Sequence, residues 1–271
     1  MLCVIAPTRW HEAWLSTPPP VPPAPSQLGQ LVQRGDLVLC LPDVATADEC
    51  AMLERAALEQ ADALQQRRFE TGLDPEGRTR LPTAAAARRA ATSGTPCAEP
   101  LSLTADEACS RVLRRTLRRI DATLPSLVVT LFDAADGSGG GLLSLLKADA
   151  LEFSSREPAV NVYTDGGEFL AHKDHQALTV LVPLSAPDAF GGGGTGFWAQ
   201  DARGHRVEAP TAVLRPPAGT ALLFGGGVVH CGMPVEEGSR VVFVASFSLR
   251  GGRIERAAAD LRSRDIYGDL L

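Results

Sequence analysis

From Gly137 to Arg250 the chain is a succession of short apolar, β-rich runs punctuated by glycine and proline. The runs fall at 159–163, 178–184, 196–199, 212–214, 221–224, 228–230 and 241–249. Runs this short cannot make a helical bundle. At this spacing they predict antiparallel strands closed into a sandwich or barrel. Upstream the texture is helical. Residues 37–41 read as one short strand. Thr46 and Glu49 then have capping-box spacing, and Met52, Leu53, Ala56, Ala57, Ala61 and Leu64 recur with helical period as far as about Phe69. Thr104 and Glu107 repeat the capping box ahead of Cys109, Val112, Leu113, Leu117, Ile120 and Leu124, with Pro125 near the end of that helix. Residues 72–100, rich in Ala, Arg, Thr, Gly and Pro, read as a mobile loop. Residues 16–26, STPPPVPPAPS, read as a stiff polyproline-like linker.

The expected organisation is therefore α+β and mainly β. Residues 1–27 form an N-terminal segment with the Pro-rich linker, and 28–136 a support region built on two N-terminal helices. Residues 137–252 form the β domain, and 253–271 a C-terminal tail with a short helix.

Composition narrows the function classes. Apolar residues are 45% of the chain, enough for a substantial core, but no run of about 18 apolar residues predicts a membrane span. The first ten residues lack the basic start and long apolar stretch of a secretory signal, which predicts a soluble cytoplasmic protein. The net charge of −6 disfavours a nucleic-acid partner. Arg111, Arg114, Arg115, Arg118 and Arg119 are a local exception, read as a solvated helix face. The six cysteines are scattered with no CxxC pair, which predicts reduced thiols rather than a disulfide framework or structural zinc. Oligomeric state has no signature.

The chemistry concentrates in few residues. His172 and Asp174 form an H-x-D pair, and residues two apart on an extended segment face the same way. His230, at the end of an apolar run, is the candidate third ligand. Two histidines and a carboxylate on one face of a metal suit iron(II), leaving positions open for a co-substrate and O2. Arg240 follows His230 by ten residues, so a strand, a turn through 236–238 and a returning strand would bring it beside the metal. A buried Arg requires an anion, and a carboxylate fits its paired donors. Pairing with Glu236 or Glu237 at the strand mouth is the alternative. Alternation turns Arg240, Val242, Val244 and Ser246 to one side of the last strand, and Val241, Phe243, Ala245 and Phe247 to the other. Tyr163, nine residues before His172 and on the face of Asn161, is placed to donate to the same carboxylate, or else is a core aromatic. Gly191 to Gly196 match G-x-G-x-x-G, but the β-like Phe197-Trp198 that follows excludes a dinucleotide loop. Cys231 reads as a buried structural thiol.

The segment from Asn161 to Asp174, NVYTDGGEFLAHKD, resembles the iron-binding strand of the prolyl 4-hydroxylase-like 2-oxoglutarate dioxygenases. The likeness extends to the distal His230, the basic residue ten positions later, the run 217–224, and Gly193-Gly-Thr-Gly-Phe197. It covers about residues 157–250. It implies a double-stranded β-helix, or jelly-roll barrel, with iron(II) on His172, Asp174 and His230. It also implies 2-oxoglutarate held by Arg240 and Tyr163 with help from Thr195. O2 would be the oxidant and ascorbate an accessory reductant. Decarboxylation of 2-oxoglutarate to succinate would be coupled to hydroxylation of a protein side chain, prolyl among the candidates, or of a small molecule. Ser246 stands where relatives acting on peptidyl proline often carry Trp, which predicts a wider or more polar pocket beside Asp174. Two other classes stay open: a nucleic-acid demethylase of the alkylation-repair type, which shares Asn161-Val-Tyr163 ahead of H-x-D, and a non-catalytic barrel used as a binding module.

Overall fold

The computed structural model describes residues 24, 27–70, 77–132, 141–198 and 209–251, with the backbone alone of 3–5. The Pro-rich segment and the tail from 253, like His11 and His205, lie outside the described residues apart from Ala24. The helices are α1 (Leu28–Arg34), α2 (Ala47–Glu70), α3 (Ala84–Thr92), α4 (Leu103–Thr123), α5 (Pro125–Phe132) and α6 (Leu142–Lys147). The strands are β1 (Cys3–Ile5), β2 (Val38–Leu41), β3 (Arg78–Pro82), β4 (Leu151–Phe153), β5 (Ala159–Tyr163), β6 (Phe169–His172) and β7 (Leu178–Pro183). They continue as β8 (Phe190–Gly192), β9 (Thr195–Phe197), β10 (Ala212–Leu214), β11 (Ala221–Phe224), β12 (His230–Gly232), β13 (Val235–Gly238) and β14 (Arg240–Leu249).

The protein is mainly β, with several antiparallel sheets and flanking helices. A large sheet runs β1-β2-β11-β7-β14-β5-β3, with β4 also on β14. Its two faces follow from strand alternation. On β14, Val241, Phe243, Ala245 and Phe247 turn toward the helices, where they pack with Leu53, Val112, Leu117 and Leu127. Val242 turns the opposite way, toward Tyr163, Leu181 and Phe224. A smaller sheet, β10-β9-β12-β6, meets that second face through Phe197 and Phe169. The β8–β13 pair forms a third sheet. The ladder of the large sheet ends at β1 and β3 and does not continue into β10 or β6, so no closed barrel is found among the described residues.

Local chemistry accounts for several boundaries. The first capping box forms at α2: the Glu49 amide donates to Thr46 Oγ1 at 3.2 Å, and the Thr46 amide to a Glu49 carboxylate oxygen at 3.0 Å. The second does not form. Helix α4 starts at Leu103 behind Ser102, which leaves Thr104 inside the first turn. Asp106 there accepts the Ala84 amide at 2.6 Å instead, tying α4 to the start of α3.

Residues 78–92 correct the expected mobile loop. Thr83 Oγ1 accepts the Ala86 amide and caps an alanine-rich helix, while β3 pairs along the whole of β5. The helical support is also larger than two helices, since α1 and α5 contribute Leu28, Val32, Leu127 and Leu131 to the same core. The arginine-rich face of α4 is not uniformly solvated. Arg115 clamps Glu49 at 2.5 and 3.1 Å, and Arg119 donates to the Pro42 carbonyl. Among the described residues Cys40, Cys50, Cys97, Cys109 and Cys231 form no disulfide. Among the described residues no helix is long and apolar enough to cross a membrane.

Candidate metal centre and anion pocket

Strands β6 and β12 pair antiparallel with His172 opposite His230, and the two rings lie 4.4 Å apart. His230 begins β12 rather than ending a strand. Asp174 lies beyond the end of β6, just before a turn at His175 with φ of 56°. The H-x-D pair therefore converges across a strand end and not along an extended segment. His172 Nε2 lies 3.3 Å from Asp174 Oδ1, and His230 Nε2 lies 3.5 Å from Oδ2. Ligand atoms of the three residues all lie within 4.8 Å of one another. His230 and Asp174 side chains are 7% and 11% exposed against 27% for His172, so the cluster opens to solvent on the His172 side.

The outer nitrogens set the tautomers. His172 Nδ1 lies 2.8 Å from the Leu170 carbonyl and His230 Nδ1 3.2 Å from that of Val228. A carbonyl only accepts, so each Nδ1 carries the proton. In the neutral rings both Nε2 lone pairs then face the Asp174 carboxylate. Three acceptors so close repel one another unless a cation sits among them. When no metal is bound and the rings carry a proton on Nε2 as well, burial still disfavours charge on Asp174, but the hydrogen bond from His172, the charge of His230 and the Thr179 hydroxyl at 2.6 Å outweigh it and hold the carboxyl well below its usual range. Burial lowers His230 from its ordinary value, with Asp174 opposing. A soft-to-borderline divalent ion with N and O preference suits this set.

Arg240 begins β14 opposite Tyr163 and is 3% exposed. Its Nη2 donates to Thr195 Oγ1 at 2.8 Å, and its buried Nη1 has no hydrogen-bond partner among the described residues. Among the described residues no carboxylate pairs with it, so the alternative pairing with Glu236 or Glu237 is not found. Those residues lie in β13, which pairs with β8. The Arg240 guanidinium carbon lies 5.2 Å from the Tyr163 ring centre. A buried cation with an unmet N–H is costly unless an anion joins it, and one carboxylate would complete it. Tyr163 in turn lies so close to β12 that a Cβ on Gly232 would come within 3.1 Å of the ring and hydroxyl.

Four residues around the site had no sequence reading as site elements: Thr179, Glu157, Arg80 and Arg78. Thr179 Oγ1 joins Asp174 to Ser246 Oγ, 3.3 Å away, so the position beside Asp174 is polar. Glu157 is buried, accepts the Ser246 amide at 2.6 Å and meets Arg80 Nη1 at 3.4 Å. Burial pushes its carboxyl up, and Arg80 opposes. Arg80 and Arg78 come from β3, the element read as loop. Strand alternation from Tyr163 and Asn161, had β3 been recognised, would have placed both on the site face. A groove of about 890 Å³ reaches Asp174 from its far side, lined in part by Arg89, Arg114, Glu152 and Arg250. The Gly191–Gly196 run crosses from β8 into β9.

No family model matches the chain, and no curated protein matches it. Solved structures do. They include prolyl 4-hydroxylases and 2-oxoglutarate–iron(II) oxygenases. The viral collagen prolyl hydroxylase of Paramecium Bursaria Chlorella virus-1 is 15% identical over 80% of this chain and 98% of its own, with a TM-score of 0.44. The prolyl hydroxylase of Trichoplax adhaerens, solved with a hypoxia inducible factor oxygen degradation domain peptide fragment, is 14% identical over 86% and 93%, at 0.46. A 2OG-Fe(II) oxygenase family oxidoreductase from Burkholderia pseudomallei is 15% identical over 84% and 92%, at 0.39. The chemical reading rests on the site's own residues.

Proposed function

We propose that the protein is an iron(II)- and 2-oxoglutarate-dependent dioxygenase of the prolyl 4-hydroxylase-like kind, built on a double-stranded β-helix, that hydroxylates a protein side chain or a small molecule. The observation that carries this reading is the inward-facing acceptor set of His172, Asp174 and His230, whose outer nitrogens are held by backbone carbonyls. The catalytic unit in this reading is residues 137–252, completed by β2 and β3. When bound, iron(II) with 2-oxoglutarate supplies O2 activation coupled to decarboxylation to succinate, with a hydroxyl delivered to the substrate.

The chain's part is holding and orienting. The Leu170 and Val228 carbonyls keep both imidazoles in the tautomer that presents Nε2 to the metal. Thr179 keeps one Asp174 oxygen bonded and the carboxylate turned inward. Arg240, steadied by Thr195, offers its free N–H to the far carboxylate of the co-substrate, with Tyr163 alongside. The Phe224 and Phe197 rings pack against the His230 ring, their centres 4.6 and 6.3 Å from it, and hold it on an apolar bed. All three metal donors and the anchor are present, which gives a non-catalytic barrel no support.

Succinate formation tests the reading. Purified protein given iron(II), 2-oxoglutarate and air should release succinate, and His172→Ala should reduce the rate at least to the level of buffer with iron. Equal rates in the two proteins would overturn the assignment.

A further inference from the structure

A second cation at the site has no role in the scheme above. Strand β3 pairs antiparallel with β5 in the register Arg78↔Tyr163 and Arg80↔Asn161. On the other side of β5, Arg240 is also opposite Tyr163. Arg78, Tyr163 and Arg240 thus form one row across three strands, and their side chains share a face. The start of β3 is tightly placed. The Thr164 amide donates to the Gly77 carbonyl at 2.9 Å, and a Cβ on Gly167 would overlap Gly77 backbone. Arg78 has little freedom to leave the row.

Its guanidinium lies 3.6 Å from the centre of the Phe169 ring, and that ring lies 4.1 Å from the His172 ring. The cation is therefore one aromatic ring away from the metal cluster, on the side where the cluster opens. Among the described residues its buried Nη1 has no hydrogen-bond partner and no carboxylate pairs with it. The neighbouring Arg80 is already engaged, with Nε on Asn161 at 3.0 Å and Nη1 on Glu157 at 3.4 Å. Glu157 offsets Arg80, and among the described residues no carboxylate offsets Arg78, whose hydrogen bond is to the Tyr163 side chain. The groove beyond Asp174 carries both signs of charge and selects no ligand class.

We propose that Arg78 is the anchor for the primary substrate and that this substrate carries a single carboxylate. The inference rests on the proposed oxygenase function. A planar guanidinium with a free N–H holds a carboxylate in a fixed orientation. Fixed in this way, the rest of the molecule extends past Phe169 toward His172. Arg240 serves a different anion: β3 and β14 lie two strand spacings apart, about 9–10 Å, and Arg240 is bonded to Thr195 whereas Arg78 stacks on Phe169.

The test uses the full chain loaded with zinc(II), which binds the same donor types without consuming O2. Affinity for 2-oxoglutarate is measured first by calorimetry, in wild type, Arg78→Gln, Arg78→Lys and Arg240→Met. Failure to bind in wild type overturns the oxygenase reading. The Arg78 question is then decided separately, from NMR shifts at Arg78 and Phe169 with 2-oxoglutarate both present and absent. Propionate should bind about tenfold or more tightly than propionamide, the size of a charge-assisted hydrogen bond. Arg78→Gln should abolish that preference, Arg78→Lys should keep part of it, and both should leave 2-oxoglutarate affinity within about twofold. The capped tripeptides acetyl-Ala-Glu-Ala-amide and acetyl-Ala-Gln-Ala-amide identify the source. A preference for the Glu peptide above that for propionate assigns a protein side chain, and the reverse assigns a free acid. Equal binding of propionate and propionamide would overturn the proposal. So would a preference that survives in Arg78→Gln, tighter binding of inorganic phosphate than of either carboxylate, or a loss of 2-oxoglutarate in Arg78→Gln as large as in Arg240→Met.

Discussion

The two faces of the large sheet are made by the same strands and do opposite work. Toward the helices, β14 presents Val241, Phe243, Ala245 and Phe247, each fully buried in an apolar core. Toward the smaller sheet, the alternate residues include Arg240 with an unmet N–H, and Ser246 in a polar chain to Asp174. The first face is satisfied as it stands. The second carries unmet hydrogen-bonding capacity and clustered acceptors, which lower stability until a metal and an anion complete them. Stability and chemistry are thus separated by one residue along a strand, and substitutions on the two faces should fail differently.

The largest effect is expected on the helix side. Phe243→Ala should cost about 3–5 kcal/mol in denaturant unfolding. A loss well under that range would mean that this face is not the main stabilising core. On the other face, Arg240→Met should leave the midpoint of unfolding unchanged or raised, because an unpaired buried cation is removed. The same variant should weaken 2-oxoglutarate binding by about a hundredfold, the scale of losing charge-assisted hydrogen bonds. Destabilisation with intact binding would reverse the roles assigned to the two faces. Thr179→Val removes one hydrogen bond to Asp174 and should weaken metal affinity by about tenfold, read by competition with a chelator dye.

The smallest effects lie outside both faces. Arg115 beside Glu49 holds that carboxyl down at about 2 against an ordinary 4.5, with burial opposing. A depressed folded value means that the contribution is present above pH 4.5 and is lost as pH falls toward 2. Glu49→Gln should flatten the stability curve across that window while leaving metal binding untouched. An unchanged slope would remove Glu49 as the source.

The β-rich texture and the faces of β14, with Arg240 on one of them, were legible because they rest on period-two alternation; His172, Asp174 and His230 stood out as rare residue types, although His172 and Asp174 converge across a strand end and not by alternation. The structure brings these three together and sets Arg240 beside Thr195 and Tyr163. What could not be read depends on tertiary pairing. Arg78 to Pro82 has no apolar alternation of its own and becomes a strand by pairing with β5. Thr104 carries a capping signal that Ser102 and the packing of Asp106 displace. Glu157 looks like any acidic loop residue until the Ser246 amide and Arg80 close around it. Closure into a barrel was expected from strand count, but strand count says nothing of which edges meet.

The most direct measurement is anaerobic visible absorption of metal-free protein given iron(II) and 2-oxoglutarate. The account predicts a charge-transfer band that is absent in His172→Ala and that needs far more 2-oxoglutarate in Arg240→Met. No band in folded wild-type protein would contradict the central claim that the inward-facing acceptors and the buried arginine together form an iron and 2-oxoglutarate site.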